Sequence, residues 1–204
     1  MNDAKIDKII NFFSVNSPEE SYQKLKKIAG ELPLYLASPS PHAISAAVLI
    51  PIIYTHEPSI LLTQRASHLR HHAGQISFPG GRIDQYDKDA TACALRETEE
   101  EIGLTPEKIN IIGNLGIWPS YSGYLITPVV GIIRPPFKVL PYEQEVEEVF
   151  EIPFSEAFEL SNYQIINKSI PIPHHYYEMT YQNKRIWGFT AGILALLAAY
   201  LNAV

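Results

Sequence analysis

Cysteine is almost absent from this chain of 204 residues, and the single one, Cys93, has no partner for an intrachain disulfide. The fold must be held by its core, and a reducing, cytoplasmic setting is expected. Long apolar runs are missing too. The longest, GFTAGILALLAAYL from Gly188 to Leu201, falls short of the ~20 residues that a bilayer-spanning helix needs. It reads as a buried terminal helix, and no membrane partner is expected. The opening MNDAKIDKII lacks the basic start and apolar stretch of a secretory signal. Positive charge is in deficit: 16 Lys and Arg against 22 Asp and Glu leave a net charge of -6. That balance argues against a nucleic-acid partner, and any phosphate held here calls for local cations or a metal. No internal repeat or low-complexity tract is present, which excludes solenoids and arrays.

What is present suits one core. Hydrophobic residues make up 46% of the chain and charged residues 19%, far from the composition of disorder. Ser17-Pro18-Glu19-Glu20 resembles a helix start with proline at the first helical position, followed by Tyr22, Leu25 and Ile28 on one face. Residues 1–41 therefore read as a helical extension ending in a Pro/Ser-rich hinge, LASPSPHA at 36–43, with the main domain spanning 42–204. Strands are predicted at 43–54, 59–63, 109–117, 124–133, 146–150, 163–170 and 175–187, with a short helix around 154–160. Between Lys88 and Gly103 the chain is free of glycine and proline, and Thr91, Leu95, Thr98 and Ile102 share a face. Gly103 stands where a C-cap belongs. Strands punctuated by helices imply a mixed α/β domain.

On that helix, Glu97, Glu100 and Glu101 stand at i, i+3 and i+4 and so share one side. Like charges at this spacing cost roughly 0.2–0.5 kcal/mol per pair on an exposed helix. A purely structural acidic helix would carry cation partners at i+4, and none is read there. Clustered carboxylates beside a glycine turn suit a hard divalent ion, Mg²⁺ or Mn²⁺. By contrast, His68, His71 and His72 lie among arginines without cysteine partners, which favours phosphate contact or surface exposure over zinc. Cys93 reads as a small buried apolar group rather than a nucleophile.

The spacing carries a resemblance. GRIDQYDKDATACALRETEEEIGL, Gly81 to Leu104, resembles the Nudix box, written G-x5-E-x7-R-E-U-x-E-E-x-G-U with U aliphatic. Gly81, Arg96, Glu97, Glu100, Glu101, Gly103 and Leu104 match; the interval from Gly81 to Arg96 is one residue longer, Asp87 replaces the first Glu, and Thr98 replaces an aliphatic residue. The preceding LLTQRASHLRHHAGQISFPGG, Leu61 to Gly81, resembles the motif LLT-x-R-[SA]-x3-R-x3-G-x3-FPGG of the coenzyme A pyrophosphatase branch of that family, matching at every fixed position. Weaker likeness continues through Glu145–Pro153 and Ile186–Ala191.

That resemblance implies a Nudix-type α/β/α sandwich with a mixed sheet. It implies metal-dependent cleavage of the diphosphate of coenzyme A or its thioesters, with Mg²⁺ or Mn²⁺ as cofactor, and a homodimer fits the superfamily. Glu97 and Glu101 are then the prime metal ligands, with Glu100 as a third and a carbonyl of Gly80 or Gly81 completing the shell. Arg96 would orient the carboxylates. Glu100 and Glu145 are the two candidates for general base. Arg65, Arg70 and His71 or His72 would meet substrate phosphates, Arg because its planar fork binds them bidentately. Phe78, in the same motif, is assigned to substrate binding. Other readings stay open: a Nudix hydrolase of ADP-ribose, a dinucleotide or a nucleotide-sugar, or a non-catalytic sensor, although sensors typically lose box glutamates and here Glu97, Glu100 and Glu101 all remain.

Overall fold

Every residue of Ile44–Ile53 (β1) beyond its first few is apolar because the strand lies mid-sheet and is covered on both faces. Its side chains alternate: Ile50 and Ile52 enter one core, Ala47, Leu49 and Ile53 the other. Ser59–Arg65 (β2) divides likewise, with Ile60 and Leu62 on the first face and Leu61 on the second. The computed structural model describes residues 2–31, 42–70, 72–168 and 174–203.

The main sheet runs β3-β2-β1-β7-β5, where β3 is Ile76–Ser77, β5 is Ile109–Asn114 and β7 is Tyr124–Ile133. Gly80–Arg82 (β4) pairs with β1, Trp118–Pro119 (β6) with β7, and Val146–Pro153 (β8) with β2. The β1–β7 pair is parallel, in register from Ile44↔Tyr124 to Ile53↔Ile133; the other pairs are antiparallel, so the sheet is mixed as expected. A second sheet, β11-β10-β9, joins Gln164–Lys168 (β9), His174–Tyr181 (β10) and Lys184–Trp187 (β11).

Helix Ala90–Ile102 (α3) covers one face of the main sheet through Cys93, Ala94 and Ile102. The other face is covered by Asn2–Val15 (α1), Pro18–Glu31 (α2), Phe154–Ala157 (α4) and Gly188–Ala203 (α5). The helical start near Ser17 is a capping box: Ser17 N–H donates to Glu20 Oε2 at 2.7 Å, and Glu20 N–H to Ser17 Oγ at 3.3 Å. Ile6, Ile9, Phe12 and Leu25 lie in the same core as α5, so α1 and α2 pack as part of the sandwich's outer layer. The expected hinge at 36–43 falls for the most part outside the described residues.

Two expected strands are each divided. The segment 109–117 stops at Asn114 because Gly116 turns the chain at φ 76, its N–H bound by Asn114 Oδ1 at 3.0 Å. The segment 175–187 is a hairpin whose two turn residues, Gln182 and Asn183, have φ of 46 and 64, the left-handed pair that a tight two-residue turn requires. No described helix is long and apolar enough to cross a membrane.

Candidate active site

The connection from β4 to α3 is built by acidic side chains. Asp84 Oδ1 accepts from Tyr86 N–H at 3.1 Å, Asp87 Oδ2 accepts from Asp84 N–H at 2.8 Å, and Asp89 Oδ1 caps α3 through Ala92 N–H at 2.9 Å. Arg96 closes on this loop with a two-pronged pair, Nε to Asp87 Oδ1 and Nη2 to Asp87 Oδ2, both 2.9 Å. That guanidinium holds the Asp87 carboxyl at a pKa of about 2. The Asp that stands at 87 thus ties this connection to α3 through Arg96. Asp87's structural partner was missed from sequence; the departure at that position was the available signal.

The α3 end is fixed equally locally. Gly103 takes φ 68 and its N–H bonds Glu99 O. Two further carbonyls are met by the segment before β8: Leu140 N–H donates to Ile102 O at 2.7 Å and Tyr142 N–H to Glu101 O at 2.9 Å. Thr98, standing where the box wants an aliphatic residue, is buried with its hydroxyl donating to Ala94 O at 2.6 Å, so its polarity is satisfied within the helix.

The three box glutamates do not converge equally. Glu101 is buried, 4% exposed; Gly80 N–H donates to its Oε2 at 3.1 Å, and Arg65 Nη1 stands 3.6 Å from its Oε1. Burial raises its carboxyl to about 8 against those two stabilising contacts. Glu97, half-buried, is raised by desolvation too, with Glu100 and Glu145 adding repulsion and Arg96 opposing it. Glu100 instead points outward, 60% exposed, and accepts from Arg96 Nη1 at 2.9 Å. This corrects the reading that no cation pairs at i+4: Arg96 and Glu100 are such a pair, and Arg96 also reaches Glu97 Oε1 at 2.9 Å. Glu145 is exposed at the turn before β8, its N–H bonded to Tyr142 O, and its charge is felt by both Glu97 and Glu101.

Of the two glycine carbonyls, Gly81's faces inward: Cys93 Sγ lies 3.7 Å from it. Leu49 N–H bonds Pro79 O and Ile83 N–H bonds Ser45 O, so residues 79, 81 and 83 turn their peptide groups to β1 and Gly80 turns away. Of the two peptides expected to offer a carbonyl to an ion, Gly81's is therefore engaged with β1 and Gly80's is turned from it. Gly81 matters for what it lacks, since a β-carbon there would meet the Glu97 carboxylate. Cys93 is buried with its thiol raised to about 12 by desolvation, a packing group as expected.

Arg65 Nε is buried and has no hydrogen-bond partner, an orphan donor beside Glu101. Arg70 is exposed in the β2–β3 loop and pairs with no acidic side chain among the described residues. His71 lies outside the described residues. Phe78 is a correction: it is 2% exposed, packed with Ile76 in the core on the face away from α3, and does not reach the site. Its two-residue offset from Ile76 was the signal.

Among the described residues no three acidic, His or Cys side chains are gathered into a closed cage. The like charges repel, and among the described residues the cations paired with them are Arg65, on Glu101, and Arg96, on Glu97 and Glu100. The donor set nonetheless fits a hard divalent ion: it is all oxygen, carries surplus negative charge, and Mg²⁺ needs only one or two carboxylates beside water and phosphate oxygens.

A mixed α/β sandwich bearing this acidic helix defines a class of hydrolases acting on diphosphate bonds. The family model for the NUDIX domain matches residues 43–170, and the chain belongs to the Nudix family. It is similar to the uncharacterized Nudix hydrolase NudL of Enterobacter sp. (strain 638), 46% identical over 158 residues covering 77% of this chain and 82% of that one. NudL of Klebsiella pneumoniae subsp. pneumoniae is 43% identical over 169 residues, covering 81% and 88%. Among solved structures, a MutT/nudix family protein from Enterococcus faecalis aligns at 13% identity with TM-score 0.48, over 94% of this chain and 72% of that one.

Proposed function

We propose that this Nudix hydrolase cleaves the diphosphate of coenzyme A or its thioesters, giving 4′-phosphopantetheine or its acyl form and adenosine 3′,5′-bisphosphate. The observation carrying the substrate is the segment Leu61–Gly81, whose fixed residues build β2, the β2–β3 loop and β4 around the box helix. Glu97, Glu101 and the Gly80 carbonyl would hold Mg²⁺ or Mn²⁺. When bound, the ion neutralises phosphoryl charge and activates water.

The chain's own residues do the rest. Arg96 is a positioning residue, locking Glu97 and Glu100 to the Asp87 loop. Glu145 is the better candidate for general base, because Glu100 is tied to Arg96 while Glu145 is exposed, has no ion pair among the described residues and acts electrostatically on both Glu97 and Glu101. Arg65, half-buried with its Nε buried and unpartnered among the described residues, sets a cation beside the carboxylates and offers a donor to a phosphoryl oxygen. Arg70 reads the 3′-phosphate from the loop. A panel of coenzyme A, acetyl-coenzyme A, ADP-ribose, NADH and nucleoside triphosphates, incubated with Mg²⁺ or Mn²⁺ and separated by mass, tests the reading. Release of 4′-phosphopantetheine supports it, and cleavage of ADP-ribose or NADH alone overturns the substrate.

A further inference from the structure

On the opposite face of β2 from Glu101, a cleft of about 600 Å³ opens between the edge strand β3 and the β10–β11 hairpin. Its volume lies within the ~300–1,000 Å³ of small-molecule sites. Gln64, Gln75, Gln182, Asn183, Lys184 and Trp187 line it.

The lining's charges cancel. Lys184 Nζ is paired with Glu148 Oε2 at 2.5 Å, and Arg185 Nη2 with Glu178 Oε2 at 2.6 Å. A phosphate gains little here. The unspent groups are neutral and directional. Gln64 Oε1 accepts from Lys184 Nζ at 3.3 Å and Gln75 Oε1 lies 2.8 Å from His72 Nδ1, so both carboxamides have their oxygens engaged, while their NH₂ groups have no partner among the described residues. The Trp187 indole is half-buried, steadied by Tyr176 at 5.6 Å and Arg185 at 5.1 Å, and its N–H has no partner among the described residues. Gln182 is reversed: its NH₂ donates to Tyr181 Oη at 3.1 Å, leaving its oxygen as acceptor. Three donors, one acceptor and an aromatic ring match a flat heterocycle with several ring nitrogens and one exocyclic amine.

We propose that this cleft is a nucleobase site that takes adenine. It rests on the coenzyme A reading only in assigning that adenine to the substrate's nucleoside end. The placement is continuous: Arg65, facing Glu101, follows Gln64 in β2, and its N–H bonds Gln75 O at 2.9 Å. Arg70 lies in the loop that ends at the cleft, where a 3′-phosphate would emerge from an adenosine.

The test is tryptophan emission of the full chain in EDTA, titrated with adenosine, purine riboside and pantetheine. Trp118 is 2% exposed with its indole N–H bonded to Leu115 O, so Trp187 is the responsive ring. Adenosine should give a saturable change that Trp187→Phe removes. Gln64→Leu should weaken it roughly tenfold without altering circular dichroism. Purine riboside, lacking the amine, should bind more weakly to the wild type and equally to adenosine in Gln182→Leu. A saturable response to pantetheine but not adenosine overturns the proposal, as does absence of adenosine binding at millimolar concentration by equilibrium dialysis. Adenosine binding without coenzyme A turnover would overturn the substrate reading and leave the cleft standing; turnover without an adenosine response would do the reverse.

Discussion

Gly81 and Glu97 are fitted to one another across the β4–α3 junction: a β-carbon at Gly81 would stand 2.4 Å from Glu97 Cδ and 2.5 Å from each carboxylate oxygen. The clash involves the group proposed to bind metal, so the carboxylate must leave its place while the surrounding ladder to β1 can persist. Gly81→Ala is expected to lower kcat roughly 100-fold, the scale of a ~1 Å misplacement of a catalytic group. Thermal unfolding should change little. Steady-state kinetics with Mn²⁺ decides it, and wild-type kcat would show that Glu97 works elsewhere.

Asp87 and Arg96 give a pH signature. The Asp87 carboxyl falls from 3.8 to about 2 in the folded chain, so its stabilisation is present above pH ~4 and is lost as pH falls towards 2. Asp87→Asn should cost about 1–2 kcal/mol at pH 7, after allowance for screening of a partly solvated pair. Urea midpoints of both proteins from pH 7 to 2 should converge below pH 4. A gap that stays constant would remove the ion pair as its cause.

How much of this could be read from residues alone depends on the range of the cause. The caps at Ser17 and Gly103, the burial of Cys93 and the alternation along β1 are local or strand-level facts, and each follows from side-chain size, turn chemistry or period. The site was legible as a helix face and a glycine turn. The apportioning of its charges was not, because Arg96 is held by Asp87, nine residues away across a loop whose turns had to be built first. Glu100 consequently sits at the rim. Phe78 went wrong for a similar reason: its place in a functional motif masked a period-two offset from Ile76 that assigns it to the core. The adenine cleft unites residues more than a hundred positions apart on two sheet edges, which no local pattern announces.

Gly103 couples the end of α3 to the strap that carries Glu145, the proposed base. Its φ of 68 disfavours any side chain, and a β-carbon would lie 2.9 Å from Leu140 Cβ, in the strap that carries Glu145. Gly103→Ala should therefore destabilise by about 2 kcal/mol from the left-handed backbone and the contact together. It should also lower kcat by displacing Glu145. An unchanged melting temperature with unchanged kcat would show that the strap accommodates the methyl freely.

Arg70 tests the far end of the substrate. An exposed guanidinium with no acidic partner among the described residues costs little to remove, so Arg70→Ala should leave stability within about 0.5 kcal/mol. Its kcat/KM for coenzyme A should fall more than that for 3′-dephospho-coenzyme A. Equal losses on both substrates would reject a role at the 3′-phosphate.

Glu101 bears the largest conflict between stability and function. Its folded carboxyl titrates at about 8 against 4.5 as the ordinary value, so the native chain holds a proton that the unfolded chain has released. Stability without metal must fall as pH rises from about 4.5 to 8, by roughly 2–4 kcal/mol for one group shifted this far. Glu101→Gln removes the titration while keeping the shape. In EDTA the variant should match or trail the wild type at pH 5 and exceed it at pH 8.5. With Mn²⁺ the order should reverse, because an ion bound only to the folded wild type raises its melting temperature by mass action and leaves the variant unmoved. Turnover of the variant should be lost at saturating Mg²⁺. Parallel pH profiles in EDTA would mean that Glu101 is solvated, and wild-type turnover in the variant would remove it from the metal site.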